Sequence, residues 1–213
     1  MQAPFFKSYD MIPAVSEERL SYLRAKVKEL MEVPQPDQRT PEWYVMRDGM
    51  LTASDWGTIL GENHYEEPAV ILHKKCNKAA EQFTGNAATR WGQKYESVAI
   101  QIYERRNRVK VIEFGLIRHP EHAFLGASPD GITDDGVMVE IKCPSSRQIT
   151  GVTPRHYWCQ VQAQLEVCRL DRCDFLECEL EEYISADAYF ADSVFVAPSA
   201  FLPTLSYYMT IPF

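Results

Sequence analysis

Apolar residues early in the chain recur at helical spacing. Leu20, Leu23, Val27 and Leu30 share one side of a segment that Ser16 can cap, which predicts an amphipathic helix over 16–32. Three prolines in the nine residues 33–41 read as a linker, and Thr40-Pro41, a cap followed by proline at the first helical position, opens a short helix. A second short helix is expected from Thr52 or Ala53 to Gly61, a third over 67–80, and a long one over 87–106 with Trp91, Tyr95, Val98 and Ile102 as its apolar stripe. The period then changes. VKVIEFGLI (109–117) and AFLGAS (123–128) read as strands, Asp134-Asp135-Gly136 as a turn, and VMVEIKC (137–143) as a third strand. Helical spacing returns over 155–168, with Trp158, Val161, Leu165 and Cys168 on one side, and further strands are expected at 173–180 and 189–197. Helices, three strands, a helix, then strands make an α/β domain in which the helix after the third strand crosses over a mixed sheet.

Composition narrows the class. A chain of 213 residues suits one domain, here 40–192, preceded by a helix and linker (1–39) and followed by an uncharged segment (193–213) that packs on the core or forms a partner surface. No apolar run reaches the ~18 residues of a membrane span, so no membrane association is expected. MQAPFFKSYD carries no basic-then-apolar leader, so no secretion signal is expected either. Six cysteines without a C-x-x-C pair point to a reducing, intracellular setting, cytoplasm or nucleus, and Cys168, Cys173 and Cys178 read as buried thiols. The net charge of -8 argues against a polyanion partner, but the charge is unevenly spread. Residues 73–110 carry nine Lys/Arg against three Glu, whereas 171–192 carry one Arg against eight acids. One region can face phosphates while another repels them; the plainer reading of 73–110 is a solvated helix face. His119 and His122 form a spacing that zinc can use, but two ligands on a turn read better as solvated.

The chemistry concentrates around the third strand. Alternation puts Glu140 and Lys142 on one face and Val139, Ile141 and Cys143 on the other. Alone, Glu140 and Lys142 make an ordinary ion pair. Ten residues earlier, Ser128-Pro129-Asp130-Gly131 is a turn signal, and a hairpin of this length brings Asp130 near Glu140. Two carboxylates at one place repel, and a hard divalent cation is the natural way to keep both ionised.

Pro129-Asp130 followed by Glu140-Ile141-Lys142 resembles the PD-(D/E)xK nuclease superfamily, and the chain over about 40–180 resembles its phage lambda exonuclease branch, the YqaJ-type viral recombinases or alkaline exonucleases. Five elements in order carry the likeness: Trp43 to Arg47 with Leu51 to Ser54, Trp91 to Glu96, Ser128 to Gly131, Glu140 to Pro144, and Tyr157 to Gln162. The resemblance implies a restriction-endonuclease-like core with a mixed central sheet flanked by helices. It implies a metal-dependent exonuclease that hydrolyses DNA from duplex ends, 5′ to 3′, in recombination or repair; an endonuclease on the same core and a non-catalytic DNA-binding module remain the competitors. Asp130, Glu140 and the carbonyl of Ile141 would bind Mg²⁺ or Mn²⁺, and Glu96 would reach a second ion. Lys142 would orient or help deprotonate water and stabilise charge at phosphorus, and Gln160 would reach the scissile region, with an exposed amide as its plain alternative. Arg47 would hold a terminal 5′-phosphate with help from Thr52, Ser54 and a helix N-terminus; Ser54 could instead merely cap that helix. Tyr157 would border the DNA or simply pack. By the same resemblance the partners are double-stranded DNA ends, a single-strand annealing protein and further copies in a ring-shaped trimer.

Overall fold

The computed structural model describes residues 15–76, 85–193 and 206–212. Helix α1 (Glu17–Glu32) starts at Ser16, whose side chain accepts from the Arg19 backbone N–H, and buries Leu23, Val27 and Leu30. The proline-rich stretch after it is stitched to the body. Gln35 and Pro36 accept the backbone N–H groups of Gly115 and Leu116, and Gln38 donates to the carbonyls of Phe114 and Pro129. The approach is so close that a Cβ at Gly115 would lie 2.0 Å from the Pro36 oxygen.

Helix α2 (Pro41–Asp48) opens on the Thr40 cap as expected. Strand β1 (Leu51–Thr52), a 3-10 turn (Ala53–Asp55), α3 (Trp56–Ile59), α4 (Pro68–Cys76) and the long α5 (Ala87–Asn107) follow; residues 77–80 of the expected third helix lie outside the described residues. The strand expected over 109–117 is two short ones, β2 (Val111–Ile112) and β3 (Ile117–Arg118), because the backbone between them bonds to Gln35 and Pro36 instead of to a neighbouring strand. Then come β4 (Leu125–Ala127), β5 (Gly131–Thr133), β6 (Met138–Lys142), α6 (Arg155–Cys168) and β7 (Arg172–Cys178).

Two departures follow at the end of the chain. The strand expected from 189 is replaced up to 193 by α7 (Ala186–Ser193), which Ser185 starts by accepting from the Ala188 backbone N–H; 194–197 lie outside the described residues. A strand that the uncharged tail did not announce, β8 (Ser206–Pro212), pairs antiparallel with β7 along its length.

The strands form a five-stranded mixed sheet, β2-β5-β6-β7-β8, and a three-stranded one, β1-β4-β3. The β6–α6–β7 connection joins parallel strands, as the crossover reading requires. Strand β6 has different companions on its two faces. Val139, Ile141 and Cys143 pack with Ala99 and Tyr103 of α5, Leu176 and Cys178. Met138 lies on the opposite face in a core with Val161 and Leu165 of α6, Phe175, and Leu23, Val27 and Leu30 of α1.

Both apolar stripes are turned slightly from expectation. On α5, Val98 is 40% exposed while Ala99 and Tyr103 are buried, with the Tyr103 hydroxyl donating to Asp174. On α6, Trp158 is 37% exposed under the Arg155 guanidinium, and the buried side is Val161, Gln164, Leu165 and Cys168. His119 is buried, not solvated: its Nδ1 accepts the backbone N–H groups of Glu121 and His122, so the ring holds the turn. Cys168 and Cys173 are buried thiols; burial pushes Cys168 up to about 12.

Candidate active site

The β5–β6 hairpin places Gly131 opposite Val139, and Asp130 just before it reaches the next strand: Asp130 Oδ2 accepts the Ile141 backbone N–H at 2.7 Å. Glu140, 1% exposed, faces α6. Its Oε1 accepts from Lys142 Nζ (2.5 Å) and Gln160 Nε2 (2.6 Å), and its Oε2 from Gln164 Nε2 (2.7 Å). Sequence reading singled out Gln160 and missed Gln164. The signal was present, since the two amides stand four residues apart and so share a helix face.

Burial raises the Asp130 carboxyl well above the ordinary carboxylate range, with the charges of Glu140 and Glu96 adding to it. Burial pulls Lys142 down, but the charges of Glu140 and Asp130 and the bond to Glu140 outweigh it, so Lys142 holds its proton more firmly than a free lysine. Its ammonium lies 4.8 Å from the centre of the Tyr157 ring, which also packs against Phe175. Arg147 lies 5.7 Å over the same ring and pairs with the fully buried Glu177, the register partner of Lys142 on β7.

Glu96, half-buried on α5, is turned toward Arg39 (2.5 Å). Among the described residues, no three His, Cys, Asp or Glu side chains are gathered closely enough to hold an ion together. The chemistry of the donors nevertheless fits a hard divalent cation. Asp130 and Glu140 are oxygen donors, and a carboxyl raised by burial and by two like neighbours needs positive charge to stay ionised.

A second polar cluster surrounds Arg47. Its Nη2 donates to Ser54 Oγ at 2.6 Å and its guanidinium lies 4.8 Å from the centre of the Trp43 ring, with burial lowering its pKa. Thr52, not Ser54, forms the local capping box: Asp55 Oδ2 accepts the Thr52 backbone N–H (2.9 Å) and hydroxyl (3.0 Å). Ser54 is thereby left to Arg47 and to Thr52 Oγ1, 3.1 Å away. Lys75 pairs with Asp55 and donates to the Arg47 carbonyl. Trp43 Nε1 donates to Ser128 Oγ at 2.9 Å, which ties the cluster to the turn that carries Asp130.

The two clusters open onto one cavity of about 310 Å³, lined by Ser54, Gly57, Thr58, Asn63, Tyr65, His156, Tyr157 and Gln160. Gly57 makes the closure possible: a Cβ there would stand 2.7 Å from the His156 Cβ. His156 has its pKa lowered by burial and then by Lys142, Arg147 and His64.

Residues 42–171 match the YqaJ-like viral recombinase domain. An uncharacterized protein of Acanthamoeba polyphaga mimivirus is 36% identical over 187 residues, covering 79% of this chain and 34% of that protein. A protein of African swine fever virus is 28% identical over 161 residues, 61% of this chain and 46% of its own length. The chain thus spans less than half the length of these viral relatives. Among solved structures, an alkaline exonuclease (LHK-Exo) from Laribacter hongkongensis is similar with a TM-score of 0.62 and 26% identity, covering 81% of this chain and 82% of that one. LHK-Exo in complex with dAMP matches at the same TM-score with 27% identity over the same shares. A phage-related exonuclease from Haemophilus somnus shares the fold at a TM-score of 0.52 and 14% identity, over 76% of this chain and 82% of that one. The fold is the restriction-endonuclease-like one of the alkaline exonucleases. The matched span contains Arg47, Thr52, Ser54, Glu96, Asp130, Glu140, Lys142, Tyr157, Gln160 and Gln164, while Arg39, Phe175 and Glu177 lie outside it; the chain belongs to the YqaJ-like viral recombinase family.

Proposed function

We propose that the chain is a metal-dependent deoxyribonuclease that degrades duplex DNA from its ends, 5′ to 3′, in recombination or repair. The observation that carries this reading is the shared cavity. It sets Ser54, bonded to Arg47, across from Gln160, bonded to Glu140. The reading takes Arg47 and Ser54 as the anchor for a terminal phosphate and the group around Glu140 as the hydrolytic side chains, with Ser54 and Gln160 lining one space. That LHK-Exo has been crystallised with dAMP fits a mononucleotide product.

In this reading Asp130, Glu140 and the Ile141 carbonyl would hold Mg²⁺ or Mn²⁺, and Glu96, paired here with Arg39, would serve a second ion. The cations, when bound, lower the pKa of water and polarise phosphoryl oxygens. The chain supplies the rest. Arg47 and Ser54 donate to the terminal 5′-phosphate, a planar fork of donors being suited to phosphate oxygens. Lys142, firmly protonated beside Glu140, stabilises the charge that builds at the phosphoryl oxygens. Gln160 lies at the cleft surface and can move its amide from Glu140 to water or phosphate. Tyr157 keeps Lys142 and Arg147 over its ring and limits their freedom.

The test is end-labelled linear duplex against covalently closed circle, each with Mg²⁺ and with EDTA. Loss of label from the linear DNA alone, in Mg²⁺ alone, is expected. Cutting of the circle at a similar rate would replace the end-directed reading by an endonuclease, and hydrolysis in EDTA would remove the metal.

A further inference from the structure

Gln164 has no part in the proposed reaction, yet it is built into the interior at a cost. It sits on the buried side of α6 beside Val161, Leu165 and Cys168 and is 1% exposed. Its Nε2 donates to Glu140 Oε2 at 2.7 Å, while its own Oε1 is buried with no hydrogen-bond partner. The orientation of the amide is forced, because a carboxylate oxygen can only accept and only the nitrogen can donate. A buried carbonyl left unpaired is destabilising, and a methionine or leucine at this place would fill the core without that penalty. The arrangement is explained if the donated bond serves Glu140.

The two oxygens of Glu140 are treated differently. Oε2 is tied to an amide enclosed by the core. Oε1 is met by Gln160 and Lys142, both half-buried and at the cleft. A carboxylate pinned at one oxygen cannot rotate about its last bond, so the other oxygen keeps its aim. We infer that Gln164 is a positioning residue: its buried amide pins Glu140 Oε2 and thereby keeps Oε1 presented to the cleft as a ligand for the divalent cation. This rests on the metal-dependent reading above. Outer partners that fix a ligating carboxylate commonly contribute tenfold to a hundredfold in metal affinity.

The experiment uses Gln164→Met, close in size and lacking both the donor and the unpaired carbonyl. Mn²⁺ binding is measured by titration without DNA, the melting temperature without metal, and end degradation as a function of Mg²⁺ concentration. The expected result is Mn²⁺ affinity weakened about tenfold to a hundredfold, with a lower melting temperature in the metal-free protein, since the unpaired Gln164 carbonyl is removed but Glu140 Oε2 is left buried without a donor; the loss of Mn²⁺ affinity is the result that a packing role would not produce. The Mg²⁺ concentration for half-maximal rate should rise by a similar factor, while the rate at saturating Mg²⁺ recovers. A purely structural role would lower the melting temperature and leave Mn²⁺ affinity unchanged, and that outcome overturns the inference. Gln164→Leu is the second variant; failure of both to fold would make Gln164 a packing residue and reject the positioning role. A parent that binds no Mn²⁺ would overturn the metal reading itself, whereas a parent that binds and a variant that binds equally would overturn only the assignment of Gln164.

Discussion

The two faces of β6 are built on opposite terms. Toward α5, Val139, Ile141 and Cys143 meet Ala99, Tyr103, Leu176 and Cys178, an apolar layer of ordinary kind. Toward α6, Glu140 and Lys142 are inserted among core residues and are made tolerable by Gln160 and Gln164. One strand of five residues therefore carries a face that stabilises and a face that spends stability. The packed apolar side fixes the strand that carries the polar side, so Glu140 is held by its strand as well as by its three donors. The cluster around Arg47 is a third case. It joins buried Thr52 and Asp55 to half-buried Arg47 and exposed Ser54, and it is held by bonds among residues close together in the chain.

The comparison predicts where each variant should register. The largest effect is expected from the apolar face. Leu176→Ala opens a cavity in a fully packed layer and should cost about 2–5 kcal/mol of stability, seen as a melting temperature lower by roughly 2–4 °C per kcal/mol. Its cleavage rate at a temperature where it stays folded should change little. A large loss of rate in a folded Leu176→Ala would mean the faces are not separable.

Lys142→Ala is the mirror experiment. It should cost about 2.7–4 kcal/mol of transition-state stabilisation, a factor of about a hundred to a thousand in single-turnover cleavage. Fold and duplex affinity in Ca²⁺ should be largely retained, because Gln160 and Gln164 still donate to Glu140. Cleavage within about threefold of the parent, well below the effect expected of a transition-state cation, would reduce Lys142 to the structural partner of a buried carboxylate.

Arg47→Ala should be selective. Loss of a charge-assisted contact costs about 1.5–3 kcal/mol, and the loss should fall on 5′-phosphorylated ends. Equal decline on phosphorylated and hydroxyl ends would deny Arg47 the terminal phosphate.

The smallest effect has the opposite sign. Asp130 has its pKa raised in the folded protein, chiefly by burial, whereas in the unfolded chain it titrates near ~3.9. Protonation of Asp130 therefore favours the fold, and the stability it contributes is present at low pH and lost as pH rises through its raised folded value. Asp130→Asn should be inactive in Mg²⁺, yet in the metal-free state more stable than the metal-free parent at neutral pH by about 0.5–2 kcal/mol. The gap should narrow as pH falls. A variant less stable than the parent at neutral pH would contradict the unfavourable burial of this charge.

How much was legible in the sequence followed from distance along the chain. The strand alternation that puts Glu140 and Lys142 on one face is local, and so is the hairpin that carries Asp130 to Ile141. The capping signals at Ser16 and Thr40 are local too, and both are found. Periodicity also told that α5 and α6 have buried sides, but it placed Val98 and Trp158 on them, because the side that ends up inside depends on the neighbour. Tyr103 turns inward to reach Asp174, 71 residues away.

Sequence by itself determined the α/β class, the main helices as far as α6 and the strands around Glu140, since these depend on periods of two and 3.6 and on short hairpins. Only the tertiary structure decided who meets whom across long separations. It set Ser54 and Gln160 on one cavity, Arg39 against Glu96, the 33–40 stretch against Gly115, and β8 along β7. It also revealed Gln164, whose partner is Glu140 on another element and whose isolated pattern reads as any polar residue on a helix. The physical reason is that backbone sterics act over a few residues, whereas burial is a property of the whole packed chain.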